Sequence, residues 1–445
     1  MAIKTSTRPD SGPDRTVLVI YGTRPEAIKM APVVRELAAS PFFRPVVAVT
    51  GQHRSMLDQV NNLFGIVPDV DLDVLQQGQT LAGVTTRSLG GLEAAITEIQ
   101  PHIVIVQGDT TTTFTGALAA FYLGVPVAHL EAGLRTNDPT SPFPEEINRR
   151  LTTQLADLHL APTPTSRDNL LAEGVKPDTV LVVGNTVIDS LLWVVKEPVP
   201  KDDPLLAELE RNASGDRPVL LVTAHRRESW GEPMRNIGEA LAQLATERPD
   251  LLIVFPIHRN PTVRAAIMPA VSGLTNVVVS DPADYTAFAH LMSRATIVLT
   301  DSGGVQEEAP SLGKPVLVMR DNTERPEGVD AGTVALVGTD PRRIVDGVGR
   351  LLDEPAAYAA MAEAVNPYGD GGAARRSVAA LAHYFGLGPP VDEFVPRFRP
   401  PVGPATIGVP RQARTPVGRS ASRASTGATD DHQPVQVNQI HPERT

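Results

Sequence analysis

The chain has 445 residues, room for two cores of domain size, and its 51 acidic against 40 basic residues leave a net charge of -11. That balance excludes a broad nucleic-acid surface, so an anionic ligand has to be held in a local basic pocket. Cysteine is absent, which excludes disulfides, thiolate metal sites and a cysteine nucleophile and fits a reducing compartment. The first residues carry no apolar h-region and no later run approaches the ~20 apolar residues of a membrane span, so the expectation is a cytoplasmic protein without a membrane partner.

In chain order, residues 1–15 are polar and read as a disordered N-terminus. Residues 16–21 form a β-branched run that predicts a buried strand. It leads into Gly22, which permits a sharp turn, and Pro25, which suits the first turn of a helix carrying Ala27, Ile28, Met30, Ala31, Val34 and Leu37 on its inner side. Strand-like runs recur at 45–50, 102–107, 125–130, 157–161 and 179–183 with helical patterns between them, and such βα alternation is the pattern of a parallel sheet. After a charged, proline-bearing stretch near 196–217 the alternation restarts, with strands expected at 218–223, 251–256, 276–280, 296–300, 315–319 and 333–337. The expected fold class is α/β: two Rossmann-like, doubly wound parallel-sheet domains facing a central cleft, over 16–187 and 188–372. A helix over 373–387 is expected to return to the first domain. Residues 388–445, rich in Pro, Ser, Thr, Arg and Gln, cannot bury a core and read as a disordered tail.

Ligands of doubly wound sheets bind at the carboxyl ends of the strands, so the cleft should carry the chemistry. The stretch 300–325, TDSGGVQEEAPSLGKPVLVMRDNTER, reads as strand, tight turn, helix and strand. Gly303 and Gly304 let a phosphate approach the main chain at a helix start. Glu307 and Glu308 follow one turn later. A carboxylate there suits ribose hydroxyls, the alternative being a solvated acidic helix start favoured by the dipole. Asp109 ends another strand, ahead of four threonines, as a helix N-cap or as part of a site. Glu131 and Glu145 add carboxylates at the next two connections. In the second domain, AHRRE and IHRN each follow a strand and supply His225 with Arg226, and His258 with Arg259. The chain lacks H-E-x-x-H, paired His-x-His and cysteine motifs, so no metal site is expected. No G-x-G-x-x-G follows the first strand and no Walker A is present, so no bound cofactor is expected either. Phosphate-binding helix, arginines, ribose-type carboxylate and acid/base side chains together describe a nucleotide-sugar site.

The segments GTRPEAIKMAP, TGQHRSMLDQV, GDTTTTF, HLEAGLRT, PFPEEINRR, GNTVIDSL, TAHRRES, TDSGGVQEEAPSLGKPVLVMRDNTERPEG and NPYGDG resemble, in order and from about residue 17 to 385, the bacterial UDP-N-acetylglucosamine 2-epimerase family. The resemblance implies the B-type glycosyltransferase-like fold. It implies non-hydrolysing interconversion of UDP-N-acetylglucosamine and UDP-N-acetylmannosamine in the cytosol, a product used in cell-surface polysaccharides, and a homodimer. By the same resemblance Arg24, Lys29, Phe288, Ser302, Gly303, Gly304, Glu308 and Arg325 hold the UDP, with Phe288 near the uracil and Glu308 on the ribose. Asp109, Glu131, Glu145 and His225 match the catalytic group. A second UDP-N-acetylglucosamine is implied as an activator on Gln52, Arg87, Glu145, Arg226 and His258. Two positions depart from the family pattern: Ala283 and Ser55 stand where glutamine is expected.

The residues support a mechanism on their own. The C2 proton of the sugar is not acidic, so inversion needs transient oxidation or departure of the group at C1, and without a dinucleotide motif elimination is favoured. A carboxylate takes the C2 proton as UDP leaves, 2-acetamidoglucal forms, and UDP adds back after protonation from the other face. The competing expectations are a hydrolysing 2-epimerase that releases N-acetylmannosamine and UDP, a B-type glycosyltransferase, and a non-catalytic nucleotide-sugar sensor.

Overall fold

Runs of Val, Ile and Leu too short for helices alternate with amphipathic helices, and in the computed structural model they assemble two parallel sheets. The structure describes residues 15–51, 54–74, 78–199, 203–212 and 217–396. The first sheet comprises β1 Arg15–Tyr21, β2 Phe43–Val49, β3 Val70–Asp71, β4 Ile103–Gln107, β5 Val127–Leu130, β6 Leu158–Ala161 and β7 Val180–Val182, in the order β3-β2-β1-β4-β5-β6-β7. The second comprises β8 Val219–Thr223, β9 Leu252–Pro256, β10 Val277–Ser280, β11 Ile297–Thr300, β12 Val316–Val318 and β13 Val334–Leu336, in the order β10-β9-β8-β11-β12-β13. The second sheet repeats the order of the first six positions of the first. Strand order reverses between β1 and β4 in one sheet and between β8 and β11 in the other, and at such a reversal the connections splay apart and leave a crevice. Each domain is thus the expected doubly wound α/β unit; the additional strand β3 is two residues long, too short to leave a periodic signature.

Alternate residues of each strand serve different cores, as period-two geometry requires. Leu18 and Ile20 face a cluster with Val104, Val106 and Ala117, and Leu220 and Val222 face one confined to the second domain. Val17, Val19 and Tyr21 of β1 share a third cluster with Val219 and Leu221 of β8. That core is continuous across the domains because the helix Thr186–Val194 passes between them, contributing Val187, Ile188, Leu191 and Val194. Each fully buried aliphatic side chain there contributes about 1.5–3 kcal/mol relative to exposure. The expected boundary at 187/188 falls inside this helix. The change of domain is made by a packed helix, with Ser190 Oγ donating to the Ile28 carbonyl.

The chain returns at 366–373. The Tyr368 carbonyl accepts the Asn185 amide at 2.6 Å, and the Asp189 carboxylate accepts the amides of Ala373 and Ala374 at 3.2 and 2.9 Å, holding the helix Ala373–Tyr384 on the first domain. Burial pushes Asp189 up to about 6. Phe385 continues this packing, with its ring 6.3 Å from Phe43 and the Arg15 guanidinium over it at 4.5 Å.

The expected tail needs a correction at its start. Residues 388–396 pack against the body: the Phe394 amide donates to the Val182 carbonyl at 2.8 Å, Glu393 pairs with Arg167 at 2.8 Å, and Phe394 is buried under Arg376. β7 is the edge of its sheet, and an edge carbonyl leaves a hydrogen bond for a passing strand to fill. Residues 1–14 and 397–445, the remainder of the two expected disordered termini, lie outside the described residues. Among the described residues no helix is long and apolar enough to cross a membrane.

Candidate active site

Both strand-order reversals open toward the same cleft. From the first, Gly22 ends β1 where a Cβ would meet the Thr50 and Thr112 hydroxyls at 2.1 and 2.4 Å, so only glycine lets the turn lie against the β4 connection. Glu26, buried in the first turn of the helix Arg24–Ala39, accepts the amides of Gly22 and Thr23 at 3.1 and 2.8 Å and the Thr110 hydroxyl at 2.7 Å. The two turns therefore form one rigid edge. Thr110, not Asp109, caps the helix Thr111–Tyr122, and the threonine run is spent on caps and internal hydroxyl contacts.

Relieved of capping, Asp109 meets Arg149, whose Nε lies at 3.1 Å and whose Nη2 is in closer contact, and its carbonyl accepts Asn148 Nδ2 at 3.0 Å. Burial pushes the Asp109 carboxyl above the usual range; Arg149 opposes this and Glu131 adds to it. Glu131, at φ +63°, is 8% exposed. It accepts Lys29 Nζ and Gln107 Nε2 in short contacts and Asn185 Nδ2 at 3.0 Å. Burial alone would raise it, but Lys29 beside it holds it below the usual carboxylate range. Two neighbouring carboxylates are thus pushed apart in acidity, the condition under which one holds a proton while the other takes one. Glu145 opens the helix Glu145–Leu155 half-buried, while its neighbour Glu146 is enclosed and accepts the Thr136 amide, Arg149 and Arg150.

From the second domain, Ser302 precedes the short helix Gly303–Glu308. A Cβ on Gly303 would lie 2.9 Å from Nη1 of Arg325 and 3.4 Å from Nη2 of Arg226. Two guanidinium groups thus converge over the helix start, beside the exposed Gly304. Bidentate guanidinium forks at a glycine-lined helix start suit a diphosphate. Arg226, expected in the second-ligand set, stands by position in this group. Beneath them Asp301 is fully buried: its Oδ2 accepts the amides of His225 and Arg226 at 2.7 and 2.8 Å, and its Oδ1 lies 3.0 Å from Nδ1 of His225. His225 is exposed, with His258 stacked on it at a ring separation of 6.1 Å. Burial and His225 lower the basicity of His258.

Glu308 accepts the Tyr285 hydroxyl at 3.2 Å, and burial pushes it up to about 7. Phe288 lies on the same helix as Tyr285, half-buried. Arg24 is exposed at the start of its helix and near enough to Glu308 to stabilise its charge. Arg87 stands apart from this group, donating to the Val74 carbonyl at 3.2 Å and to Gln79. Gln52 and the side chain of Ser55 lie outside the described residues, and Ala283 packs partly buried against the shared core. Among the described residues no group of three or more His, Asp or Glu side chains is arranged to hold a metal ion.

Residues outside the expected site set tie the site together, among them Glu307, which the sequence offers with Glu308 only as a ribose-type carboxylate. Glu307 is 2% exposed and accepts Arg325 Nε at 2.5 Å and Asn185 Nδ2 at 2.8 Å; Asn366 of the returning segment donates to the Glu307 carbonyl at 2.8 Å. Arg149, Gln107 and Asp301 likewise position residues that were expected. Arg149 and Asp301 have as prior signal their membership of the quoted segments, and Gln107 its place at the end of an expected strand.

The family model described as UDP-N-acetylglucosamine 2-epimerase matches residues 35–382. A relative of that name from Escherichia coli (strain K12) is 55% identical over 368 residues, 82% of this chain and 98% of the relative. The crystal structure of UDP-GlcNAc 2-epimerase from Neisseria meningitidis bound to UDP-GlcNAc is similar at 47% identity and a TM-score of 0.75, over 83% of this chain and 100% of that one. The Methanocaldococcus jannaschii UDP-GlcNAc 2-epimerase in complex with UDP-GlcNAc and UDP is similar at 33% identity and a TM-score of 0.67, over 83% and 99%.

Proposed function

The chain belongs to the UDP-N-acetylglucosamine 2-epimerase family, isomerases of the non-hydrolysing type, and from that premise we propose how its cleft inverts C2. UDP-N-acetylglucosamine and UDP-N-acetylmannosamine interconvert by elimination and re-addition of UDP. A carboxylate takes the proton from C2 while the C1–O bond breaks toward UDP, leaving a C1=C2 double bond in 2-acetamidoglucal. Protonation of C2 from the other face and attack of a UDP oxygen on C1 complete the inversion, with no net change in protons. Asp109 and Glu131 are the acid/base pair, with Glu145 and His225 completing the catalytic group. Arg226 and Arg325 over Gly303, with Arg24, Lys29 and Ser302, hold the departing diphosphate, and Glu308 with Phe288 holds the nucleoside.

The observation that carries this reading is the juxtaposition of two carboxylates of opposed acidity with a two-guanidinium cradle across one cleft. Proton NMR of UDP-N-acetylglucosamine with the protein in deuterated water tests it. Solvent deuterium at C2 of both UDP-sugars is the expected result. Retention of the original hydrogen overturns elimination, and release of free N-acetylmannosamine with UDP indicates the hydrolysing reaction.

The product feeds cell-surface polysaccharide synthesis from the cytosol. A second UDP-N-acetylglucosamine acts as activator at the Gln52, Arg87, Glu145, Arg226 and His258 position, and sigmoidal kinetics would report it. The enzyme works as a homodimer. In support, the packed helices Thr111–Tyr122 and Glu145–Leu155 leave Phe121, Tyr122, Ile147 and Leu151 exposed, an apolar surface suited to a second copy; sedimentation at micromolar concentration decides it.

A further inference from the structure

One side chain, Asn185, joins Glu131 of the first domain to Glu307 of the second, and nothing in the reaction as described uses it. It stands where the chain leaves the first sheet and is 2% exposed. Its Oδ1 accepts the Val187 amide at 3.1 Å, capping the crossing helix, and its own amide donates to the Tyr368 carbonyl of the returning segment. The carboxamide nitrogen has two hydrogens, and each has a carboxylate: Glu131 Oε1 at 3.0 Å and Glu307 Oε2 at 2.8 Å. Beyond Glu131 lie Lys29 and Gln107, and beyond Glu307 lies Arg325. The two ends of this chain of contacts are cations assigned above to the diphosphate.

We propose that Asn185 is a positioning residue for the epimerisation, keeping the reacting carboxylate Glu131 in register with the diphosphate-binding Arg325 through Glu307. The inference rests on the reading of Glu131 as a reacting carboxylate. An amide that donates to two carboxyl groups favours the ionised form of each, whose oxygens are the stronger acceptors, so it biases charge as well as geometry. The charged and titratable groups facing Glu131 are Lys29 from the Arg24–Ala39 helix, Asp109 from the turn after β4, His129 on its own strand, and Arg325 and Glu307 from the second domain. A diphosphate that recruits Lys29 and Arg325 draws both cations away from their carboxylates. Asn185 and Gln107 are then the contacts that keep Glu131 aimed at the sugar.

The test uses the full chain and measures kcat, KM, calorimetric UDP affinity and the pH profile of kcat/KM. Asn185→Asp keeps the Oδ1 cap and removes the paired donors. Its kcat should fall about 10²-fold, the loss typical of an ångström-scale misplacement, with UDP affinity retained. The acid limb of kcat/KM should move to higher pH, because a hydrogen bond favouring the charged form of Glu131 is lost. Glu307→Gln removes a negative neighbour while leaving an acceptor for the amide, so its acid limb should move the other way; if Asn185→Asp does not fold, Asn185→Ser, which keeps a capping oxygen and loses the paired donors, decides the matter by the same fall in kcat and the same shift of the acid limb. Wild-type kcat, or acid limbs that stay in place in the folded variants, overturns the inference. Wild-type protein without epimerase activity overturns the functional reading and the inference with it.

Discussion

Replacing Gly303 by alanine separates the phosphate cradle from the fold that carries it. The added Cβ would stand 2.9 Å from Nη1 and 3.0 Å from Cζ of Arg325, and 3.4 Å from Nη2 of Arg226. Ordinary contact starts near 3.4 Å, so the Arg325 guanidinium has to retreat by about 0.5 Å. Its Nε is already bonded to Glu307 at 2.5 Å and its Nη1 lies 3.4 Å from Glu324, so the retreat rotates the fork away from the helix start instead of translating it intact. The backbone at 303 is outside the left-handed region, and alanine in a helix is favoured over glycine by up to ~1 kcal/mol. The strain on a side-chain terminus and this gain offset each other, and the melting temperature should stay within a few degrees of wild type. Binding should not stay. A charge-assisted hydrogen bond to phosphate contributes about 1.5–3 kcal/mol, so calorimetric titration with UDP should show a roughly ten- to hundredfold weaker Kd. Unchanged UDP affinity would refute the placement of the two guanidinium groups on the diphosphate. A collapse in melting temperature with affinity intact would make Gly303 a packing position.

Asp109→Asn and Glu131→Gln should bind UDP by calorimetry yet turn over about 10²- to 10⁴-fold more slowly; loss of UDP binding or of folding would favour structural roles for both. Burial raises Glu308 from about 4.5 to about 7, so between those values the folded state keeps a proton that the unfolded chain has released. Stability contributed by this group therefore falls as pH rises through that window and levels off above it. Glu308→Gln should melt progressively higher relative to wild type across the same window, and a pH-independent difference would contradict the assignment. Ending the chain after Pro396 should leave the melting temperature unchanged. Ending it after Leu387 removes buried Phe394, worth about 1.5–3 kcal/mol, and should lower melting by several degrees at about 2–4 °C per kcal/mol; equal melting of the two truncations would show that residues 388–396 do not hold the body.

The strands were legible because each is a short aliphatic run bounded by turn residues, a signal that survives without tertiary context. β3 escaped because Val70–Asp71 is no longer than a single period of alternation. The candidate site residues at strand ends could be read for a topological reason: Asp109, Glu131, His225 and Ser302 all follow strands of parallel sheets, where the carboxyl edge is the usual binding edge. Their partners were not legible. Arg149 reaches Asp109 from 40 residues away and Lys29 reaches Glu131 from 102, and no local pattern encodes such distances. Asn185 carries a local signal, that of a helix cap, and the structure uses its Oδ1 for that purpose; the second task of its amide depends on how two domains meet. Arg226 shows the same limit. Chain order sets it beside His225, and only the packing of the Arg325 loop puts both guanidinium groups over Gly303.

Lys29, Glu131, Glu307 and Arg325 form an alternating set of two cations and two anions around Asn185, with both carboxylates nearly inaccessible. Unpaired, each such charge would cost several kcal/mol of desolvation; in the elimination proposed, where the cleft offers cations to a diphosphate and an ionised carboxylate to C2, mutual pairing keeps these charges neutralised until the ligand arrives. A bound diphosphate competes for the cations, and Glu131 then loses the neighbour that holds it below the usual carboxylate range. The base should therefore strengthen when, and only when, the leaving group is seated. UDP binding measured near pH 5 in buffers of different ionisation enthalpy should then show proton uptake in the wild type that is reduced in Glu131→Gln, the comparison cancelling protons exchanged by the ligand and by Glu308. Equal uptake in the two proteins would mean that the diphosphate leaves the Lys29–Glu131 pair intact, and that Glu131 meets the sugar with its basicity unchanged.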